Sequence, residues 1–381
     1  MRHASSRKGW RASAVSDRWR FIDGGPTEAP AAYGRLPAIA ASVVQGGPEV
    51  LMTLLWSRGH LTVGWFDDVD SAINLEAARE AGIDVFRRPI WGGGTAFYDT
   101  EAVSVWSWIM RDDRHASLDE ALGAFRPVME KALGDLGLGE AHFEGSSDIR
   151  WRDRKLGTCI TQSVLGTKVV GGFLNLKRPD LDLYRRVARV PEEKFKDKVI
   201  KDIVEYIVTP ADIRGTPVTY PELRDAIAAA SRDVAGLELE PSPYSDAERD
   251  ITDQFVASVR SDEFIRRISS ERFRSEAGAR SRVGFANVKG KKLVRAGVEL
   301  DASGTILRAM VAGDMHVSPP DAMDRIAAGL AGVNAGDREA LAAVARGVFD
   351  APDVEQADAA AGITAGDVVD AVVRAAKEAT S

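Results

Sequence analysis

Hydrophobic positions in the first two thirds of the chain switch several times between helical and alternating spacing. Leu122, Phe125 and Met129 recur at helical intervals, which predicts a helix over 119–136. A second helix is predicted over 221–234, because a proline opens that segment. Short apolar runs that are typical of strands separate these helices. The pattern therefore predicts an α/β fold for this part of the chain.

The last third of the chain has a pattern of its own. Two prolines in polar company make 238–246 the best candidate for a linker. Apolar positions then alternate over 293–312 around a turn at 301–304, which predicts a β-hairpin. Helices are predicted from Pro320, near Asp337 and near Ala365.

A chain of 381 residues is too long for one comfortable core. We therefore predict a catalytic domain over 18–240 and an accessory domain over 247–381. The basic residues before them, 1–17, are predicted to form a flexible N-terminus. Their Arg- and Ser-rich composition also fits a transit peptide, although base rates for chain termini favour the tail.

Charge and composition exclude several classes of function. A net charge of -7 argues against a general nucleic-acid binder. One cysteine excludes an internal disulfide framework and fits a reducing cytoplasm, and the five histidines have no zinc-site spacing. The sequence contains no apolar run of about 18 residues. We therefore expect a cytoplasmic protein without a membrane span.

The most informative motif is the sequence RRPIWGGGTAFYD at 87–99. Three glycines remove every side chain that would keep a ligand away from the backbone, so their N–H groups could converge on an anion. An adjacent guanidinium can pair with a phosphate or a carboxylate. A flexible turn with surface arginines is the alternative interpretation of this motif.

A second motif lies at 145–159, where Asp148 opens a strand and a polar turn leads to Lys155. A lysine at this point extends from a rigid hairpin, and Gly157 allows another backbone or a ligand to come close. A solvated hairpin lysine is the alternative.

Together and in this order, the two motifs resemble the lipoate–protein ligase family, within the wider biotin/lipoate ligase fold. The resemblance covers roughly residues 18–340. It implies mixed, largely antiparallel sheets flanked by helices in the catalytic domain, with a small α+β accessory domain at the C-terminus. It also implies activation of lipoate, octanoate or a related acid by ATP to an acyl-adenylate, followed by acyl transfer to a lysine of a carrier protein.

The resemblance also implies roles for individual residues. Lys155 is the catalytic cation, and Asp148 holds Mg²⁺ near the phosphates. The residues implied to contact ATP and the adenylate are Gly92, Gly93, Gly94, Thr95, Ala96, Phe97, Ser147, Asp148, Gly157 and Thr158. Those implied to contact the acyl group are Trp56, Val63, Gly64, Arg88 and Trp91.

The implied partner is a lipoyl carrier domain, of a 2-oxoacid dehydrogenase E2 subunit or a glycine-cleavage H-like protein. A basic rim would suit its acidic surface, although a solvated charge run is equally compatible with the same residues. The rim candidates are Arg185, Arg186, Arg189, Lys194 and Lys196.

The sequence departs from the family pattern at several polar positions. Trp91 replaces a small polar residue, Tyr98 a histidine and Ser147 an asparagine. These changes suit a ligase with an altered acid or partner, or a paralogue that binds without turnover. A further alternative is octanoyl transfer through a cysteine thioester. The region where that nucleophile is expected, 180–198, has no cysteine, and we expect Cys159 to be a core residue.

Overall fold

The computed structural model describes residues 18–89, 92–145, 147–189, 206–356 and 362–380. Its strands are β1 (Arg18–Thr27), β2 (Val50–Trp56), β3 (His60–Val63), β4 (Asp84–Arg87), β5 (Ala96–Tyr98), β6 (Val103–Arg111), β7 (His142–Glu144), β8 (Asp148–Trp151), β9 (Arg154–Val164), β10 (Thr167–Asn175), β11 (Glu238–Pro241), β12 (Arg282–Lys289), β13 (Leu293–Leu300), β14 (Ile306–Gly313), β15 (Val317–Ser318) and β16 (Glu355–Gln356).

Its α-helices are α1 (Ala29–Val44), α2 (Val69–Ala72), α3 (Leu75–Glu80), α4 (Leu118–Asp135), α5 (Leu181–Val187), α6 (Pro210–Arg214), α7 (Tyr220–Ala235), α8 (Asp246–Val259), α9 (Asp262–Ile265), α10 (Ser270–Ser275), α11 (Ala322–Leu330), α12 (Arg338–Phe349) and α13 (Ala365–Glu378). The predicted helices over 119–136 and 221–234 are therefore confirmed as α4 and α7, and the predicted hairpin as β13–β14. None of the helices in the described ranges is long and apolar enough to cross a membrane.

An eight-stranded sheet forms the centre of the first part of the chain, in the order β11-β1-β2-β6-β10-β9-β8-β7. Only the β11–β1 and β1–β2 pairs in it are parallel. Alternate residues of β6 point to opposite faces. Trp106 and Trp108 pack towards α4 and α7, whereas Val103 and Ile109 pack towards α1. Both faces are covered, so the expectation of mixed, largely antiparallel sheets flanked by helices is confirmed.

A smaller sheet, β12-β13-β14, forms a second core with α11, α12 and α13. A third sheet has the order β4-β3-β5, and Arg87 ends its edge strand β4 while Arg88 follows directly. The glycine loop, residues 92–95, connects β4 to β5, and its Gly93 is hydrogen-bonded to Met315, which follows β14.

The segment predicted to be a linker, 238–246, is instead part of the fold. Its first residues form β11, the edge strand that pairs with β1, and α8 begins at Asp246. Val259 at the end of α8 packs into the core formed by α1 and β2. The prolines were misleading because Pro241 lies at a sheet edge, where a missing N–H costs no ladder bond. The division of the chain at residue 247 stays a prediction, as does the basic tail over 1–17, which lies outside the described residues.

Candidate functional site

A cavity of about 640 Å³ lies between the eight-stranded sheet, the glycine loop and the turn of the β12–β13 hairpin. One end of it is apolar and is formed by α1 and β2. Trp56 stacks there against Tyr33 and Tyr98, with ring centroids 5.5 Å apart in both pairs. The other end carries Lys155 and Asp148. One continuous space therefore joins an apolar chamber to a charged wall.

Lys155 faces this cavity because of an irregularity in the β8–β9 hairpin. Ile149 pairs with Gly157 and Arg150 pairs with Lys155, so Leu156 is an extra residue on β9. Such a bulge reverses which face the following side chains occupy. Leu156 and Cys159 enter the hydrophobic core, whereas Lys155 and Thr158 line the cavity. Without the bulge, regular alternation would place Lys155 on the same face as buried Cys159.

The ammonium of Lys155 is held by charge. Its Nζ lies 2.7 Å from Asp148 Oδ1, and about a quarter of its side chain is exposed. Burial disfavours the charged form, but Asp148, Tyr206 and Asp314 outweigh it, so the pKa of Lys155 is raised. Lys155 is therefore a fixed cation at neutral pH.

Asp148 is held from its other side as well. Its Oδ2 accepts a hydrogen bond from Tyr206 Oη at 3.2 Å and one from Arg150 Nη2 at 3.4 Å. Burial favours the neutral acid, but Lys155, Arg150 and Tyr206 prevail and lower the pKa of Asp148. The carboxylate thus stays ionised and fixes the direction of the Lys155 side chain.

The glycine loop is packed against backbone rather than left open. The N–H of Gly93 donates to Met315 O at 2.7 Å, and the N–H of Gly94 donates to Asp67 Oδ1 at 3.1 Å. A Cβ on Gly93 would lie 2.3 Å from Gly313 O, so only glycine allows this close approach. These two N–H groups are therefore bonded within the protein, that of Gly94 to a carboxylate of the chain itself, and not directed at a ligand anion.

The two arginines before the loop have different surroundings. Arg88 lines the cavity and donates to the carbonyl oxygens of Gly93 and Gly94 at 3.1 and 2.7 Å. Arg87 is fully buried and donates to six backbone carbonyls, those of Gly64, Trp65, Asp67, Phe264, Ile265 and Ile268. Arg87 therefore stabilises the fold, whereas Arg88 orders the loop at the edge of the cavity.

Most of the predicted site residues lie at this cavity. Those that line it are Trp56, Arg88, Gly93, Gly94, Thr95, Ala96, Phe97, Ser147, Asp148, Lys155 and Thr158. Four others lie behind its wall. Val63 belongs to a separate apolar core, and Gly64 packs on the Gly92 carbonyl, while Gly92 packs on His316 and Gly157 on the Phe173 carbonyl. Trp91 lies outside the described residues.

Several cavity residues were not anticipated from the sequence. Tyr206 and Arg150 complete the Lys155–Asp148 pair, and Asp314 and His316 come from the segment after β14. Burial lowers the pKa of His316 to about 4, so its ring is neutral. Gly313, just before Asp314, was a usable sequence signal, because a glycine can mark backbone that other residues rarely adopt. Its φ is 142°, and its backbone is closely packed. The sequence could not show which distant residues this glycine contacts.

Cys159, the only cysteine in the sequence, lies on β9 with its side chain fully buried in the core. Burial raises the pKa of its thiol to about 12. The expectation that Cys159 is a core residue is confirmed, since a nucleophile needs access and thiolate character.

Asp148 can bind Mg²⁺ only if its carboxylate oxygens bond to the metal and to their present hydrogen-bond donors at the same time. Both are already hydrogen-bonded, although a carboxylate oxygen has two lone pairs and Mg²⁺ often needs only one protein carboxylate beside substrate phosphates. Within the described ranges, no group of three or more His, Cys, Asp or Glu side chains could hold a metal ion unaided. The residues fit a metal that arrives with a phosphate-bearing ligand, and the metal role of Asp148 stays a prediction.

An α/β unit with an apolar chamber that leads to a fixed ammonium suits a ligand with an apolar tail and an anionic head. Residues 38–232 match the family model described as the lipoyl protein ligase A/B catalytic domain, and the chain belongs to this family. A related sequence is octanoyltransferase LipM of Kyrpidia tusciae, 25% identical over 65% of this chain and 97% of the relative.

Solved structures share the fold at low identity. P. falciparum LipL1, solved with lipoate, is 11% identical with a TM-score of 0.66 over 93% of this chain and 98% of its own. A lipoate-protein ligase A bound with ATP has 16% identity and a TM-score of 0.55 over 65% of this chain and 98% of its own. A bipartite ligase from Thermoplasma acidophilum, described with its E2 lipoyl domain, has 19% identity and a TM-score of 0.54 over 65% and 96%.

Proposed function

We propose that the protein is an ATP-dependent lipoate–protein ligase. It activates lipoate, octanoate or a related medium-chain acid to an acyl-AMP and transfers the acyl group to a lysine of a lipoyl carrier domain. The observation that carries the proposal is the single cavity in which an apolar chamber opens on Lys155. An acid with an apolar tail would bury methylene groups in the chamber, each contributing about 0.8 kcal/mol.

Lys155 has the properties that both chemical steps need. Negative charge builds on the α-phosphate during adenylate formation and on the acyl oxygen during transfer, and a preorganised cation stabilises both transition states. Asp148 holds Lys155 in place and is itself held by Arg150 and Tyr206. No reorganisation is then needed when the charge develops.

The glycine loop and Arg88 have a positioning role in this proposal. Gly93 and Gly94 direct their N–H groups into the protein, so they offer the nucleotide a wall without side chains. Arg88 lines the cavity beside that wall. It would contact the phosphate or the acyl carbonyl. Asp148 would hold Mg²⁺, which would neutralise phosphate charge when bound with the nucleotide.

The carrier domain would approach at α5, whose residues Leu181 and Tyr184 line the cavity. Arg185 and Arg186 are exposed on this helix, and Arg189 follows it. These arginines suit an acidic carrier surface. The other two rim candidates, Lys194 and Lys196, lie outside the described residues.

Octanoyl transfer is the alternative, and the name of the Kyrpidia relative favours it. A thioester mechanism needs an accessible thiolate. The one cysteine in the chain is buried, with a pKa raised to about 12. The activated-acid route therefore suits this chain better than transfer through a cysteine.

The test is ATP–pyrophosphate exchange with lipoate and octanoate. We expect exchange that falls about 100- to 1000-fold in Lys155→Ala, which corresponds to the loss of one electrostatic stabiliser. The variant should stay folded and lose no more than about 1–2 kcal/mol of stability, because Asp148 retains Arg150 and Tyr206. Lys131→Ala is the control, since this lysine pairs with Asp135 on α4, away from the cavity. Absence of exchange with every acid, together with acyl transfer from an acyl-carrier thioester, would support the alternative.

A further inference from the structure

The β12–β13 hairpin brings three lysines, Lys289, Lys291 and Lys292, to the cavity wall opposite the sheet that carries Lys155. We call them the hairpin lysines. They lie at the end of β12 and in the turn that follows it, far along the chain from both sequence motifs. None of the roles proposed so far uses them.

The hairpin is held rigidly. The N–H of Gly290 donates to Lys292 O at 3.1 Å, and Lys289 Nζ donates to Lys291 O at 3.0 Å. A Cβ on Gly290 would lie 2.2 Å from Asp367 Oδ1 at the start of α13. The turn therefore packs directly against this helix, and its lysines extend from a fixed base.

Hydrogen bonds also fix the position of the hairpin relative to the rest of the site. Leu293 O, just after the turn, accepts from Asp314 N at 2.9 Å, and Met315 O accepts from Gly93 N at 2.7 Å. On the same strand, Arg295 Nε lies 2.8 Å from Asp68 Oδ2, and the Asp68 side chain is fully buried. The hairpin and the glycine loop are thus parts of one connected wall.

The lining of the cavity carries more positive charge than is needed to bind a ligand with a single carboxylate. Eight lysines and arginines line it against five aspartates and glutamates. Of the acidic groups, Asp67 accepts from two backbone N–H groups, and Asp68 and Asp148 are paired with Arg295 and Lys155. The surplus of positive charge suits a ligand with several negative charges close together.

Cations from distant parts of the chain line the same cavity. Lys292 lies in the hairpin turn, Arg88 lies before the glycine loop and Lys155 lies on β9. Only Lys155 lies within a strand, and the other two cations lie next to strands of two other sheets. A polyphosphate chain inside the cavity would reach all of them, whereas the surface of a folded carrier domain would meet only the rim.

We propose that the hairpin lysines bind the β- and γ-phosphates of the nucleotide and hold the pyrophosphate that leaves during adenylate formation. This inference rests on the proposed ligase function and adds a leaving-group site to it. An oxygen of the acid carboxylate attacks the α-phosphorus, and the bond from that phosphorus to the bridging oxygen breaks. The electron pair stays on the pyrophosphate, and no proton moves. Total charge is conserved but becomes concentrated on the leaving group, where compact ammonium groups stabilise it.

The experiment uses a variant with Lys289→Ala, Lys291→Ala and Lys292→Ala, and Lys131→Ala as the control. In ATP–pyrophosphate exchange we expect the KM for pyrophosphate to rise about tenfold or more in the triple variant and to stay unchanged in the control. Transfer from preformed lipoyl-AMP to a carrier domain should keep its wild-type rate, because that step involves no pyrophosphate. An equal loss of activity in ATP–pyrophosphate exchange and in acyl transfer from lipoyl-AMP would overturn the inference.

Calorimetric titration with inorganic tripolyphosphate separates this inference from the proposed function. We expect the wild type to bind tripolyphosphate and the triple variant to bind it at least about tenfold more weakly. Equal binding by the two proteins would overturn the leaving-group site even if exchange is observed. A wild type that binds tripolyphosphate but exchanges with no acid would contradict the ligase function and leave a polyphosphate site at the hairpin. Thermal melting of both proteins checks that the triple variant is folded.

Discussion

Two walls of the cavity, the glycine loop with its preceding arginines and the β8–β9 hairpin, use their polar groups differently. In the glycine loop and the arginines before it, the polar groups largely serve the protein: Arg87 donates to six carbonyls, and Gly93 and Gly94 donate to Met315 and Asp67. In the β8–β9 hairpin, Lys155 keeps a quarter of its side chain exposed. The comparison teaches that the glycine motif mainly builds the site, whereas the motif at 145–159 presents the charge.

Arg87→Met gives the sharpest test of the structural wall. It removes the guanidinium and leaves buried carbonyls without donors, so we expect the free energy of unfolding to fall by about 4 kcal/mol. Burial lowers the pKa of Arg87 only to about 10, so the side chain is charged at neutral pH. Urea denaturation measures the loss. A variant of near wild-type stability would show that Arg87 is dispensable for the fold.

Gly64→Ala tests the close packing behind the loop. The new Cβ would lie 2.1 Å from Gly92 O and 2.5 Å from Gly93 Cα, and we expect a loss of about 3 kcal/mol. Gly123→Ala is the matched control, because Gly123 lies within α4 and no atom comes within 4 Å of its added Cβ. Alanine there should be neutral or stabilising by up to about 1 kcal/mol. Equal effects of the two substitutions would contradict the packed loop.

Asp148→Asn tests the charged wall through pH. The pKa of Asp148 is lower in the folded chain than its usual value of 3.8. Its contribution to stability is therefore present above about pH 3.8 and is lost as pH falls through the lowered folded value. We expect Asp148→Asn to lose about 1–2 kcal/mol at pH 7, and the difference from wild type to shrink in acid. Denaturation at several pH values measures it, and a difference that is constant with pH would refute the pairing.

Cys159→Ala should have the smallest effect on activity. The thiol lies in the core with a pKa raised to about 12, so we expect exchange and transfer to stay within about twofold of wild type. Native protein at pH 8 should also resist iodoacetamide until it is unfolded. Rapid alkylation that abolishes acyl transfer would make Cys159 a nucleophile after all.

The sequence predicted local features well and long-range ones poorly. The helix α4 and the β13–β14 hairpin follow from periodicity, and Lys155 was placed on a hairpin from its turn residues. The orientation of Lys155 was not predictable from alternation, because the bulge at Leu156 reverses it. The use of the Gly93 N–H was hidden as well, because its acceptor, Met315, lies about 220 residues further along the chain. The hairpin lysines were missed for the same reason.

The contacts of Arg87 also constrain how the chain could be recombined. Its guanidinium is surrounded by carbonyls of residues 264–268, and α8 before them packs on α1. Exchanging the C-terminal part for that of a relative at residue 241 would leave this arginine facing foreign backbone. A junction after residue 275 would instead transfer the first part together with every carbonyl that Arg87 binds.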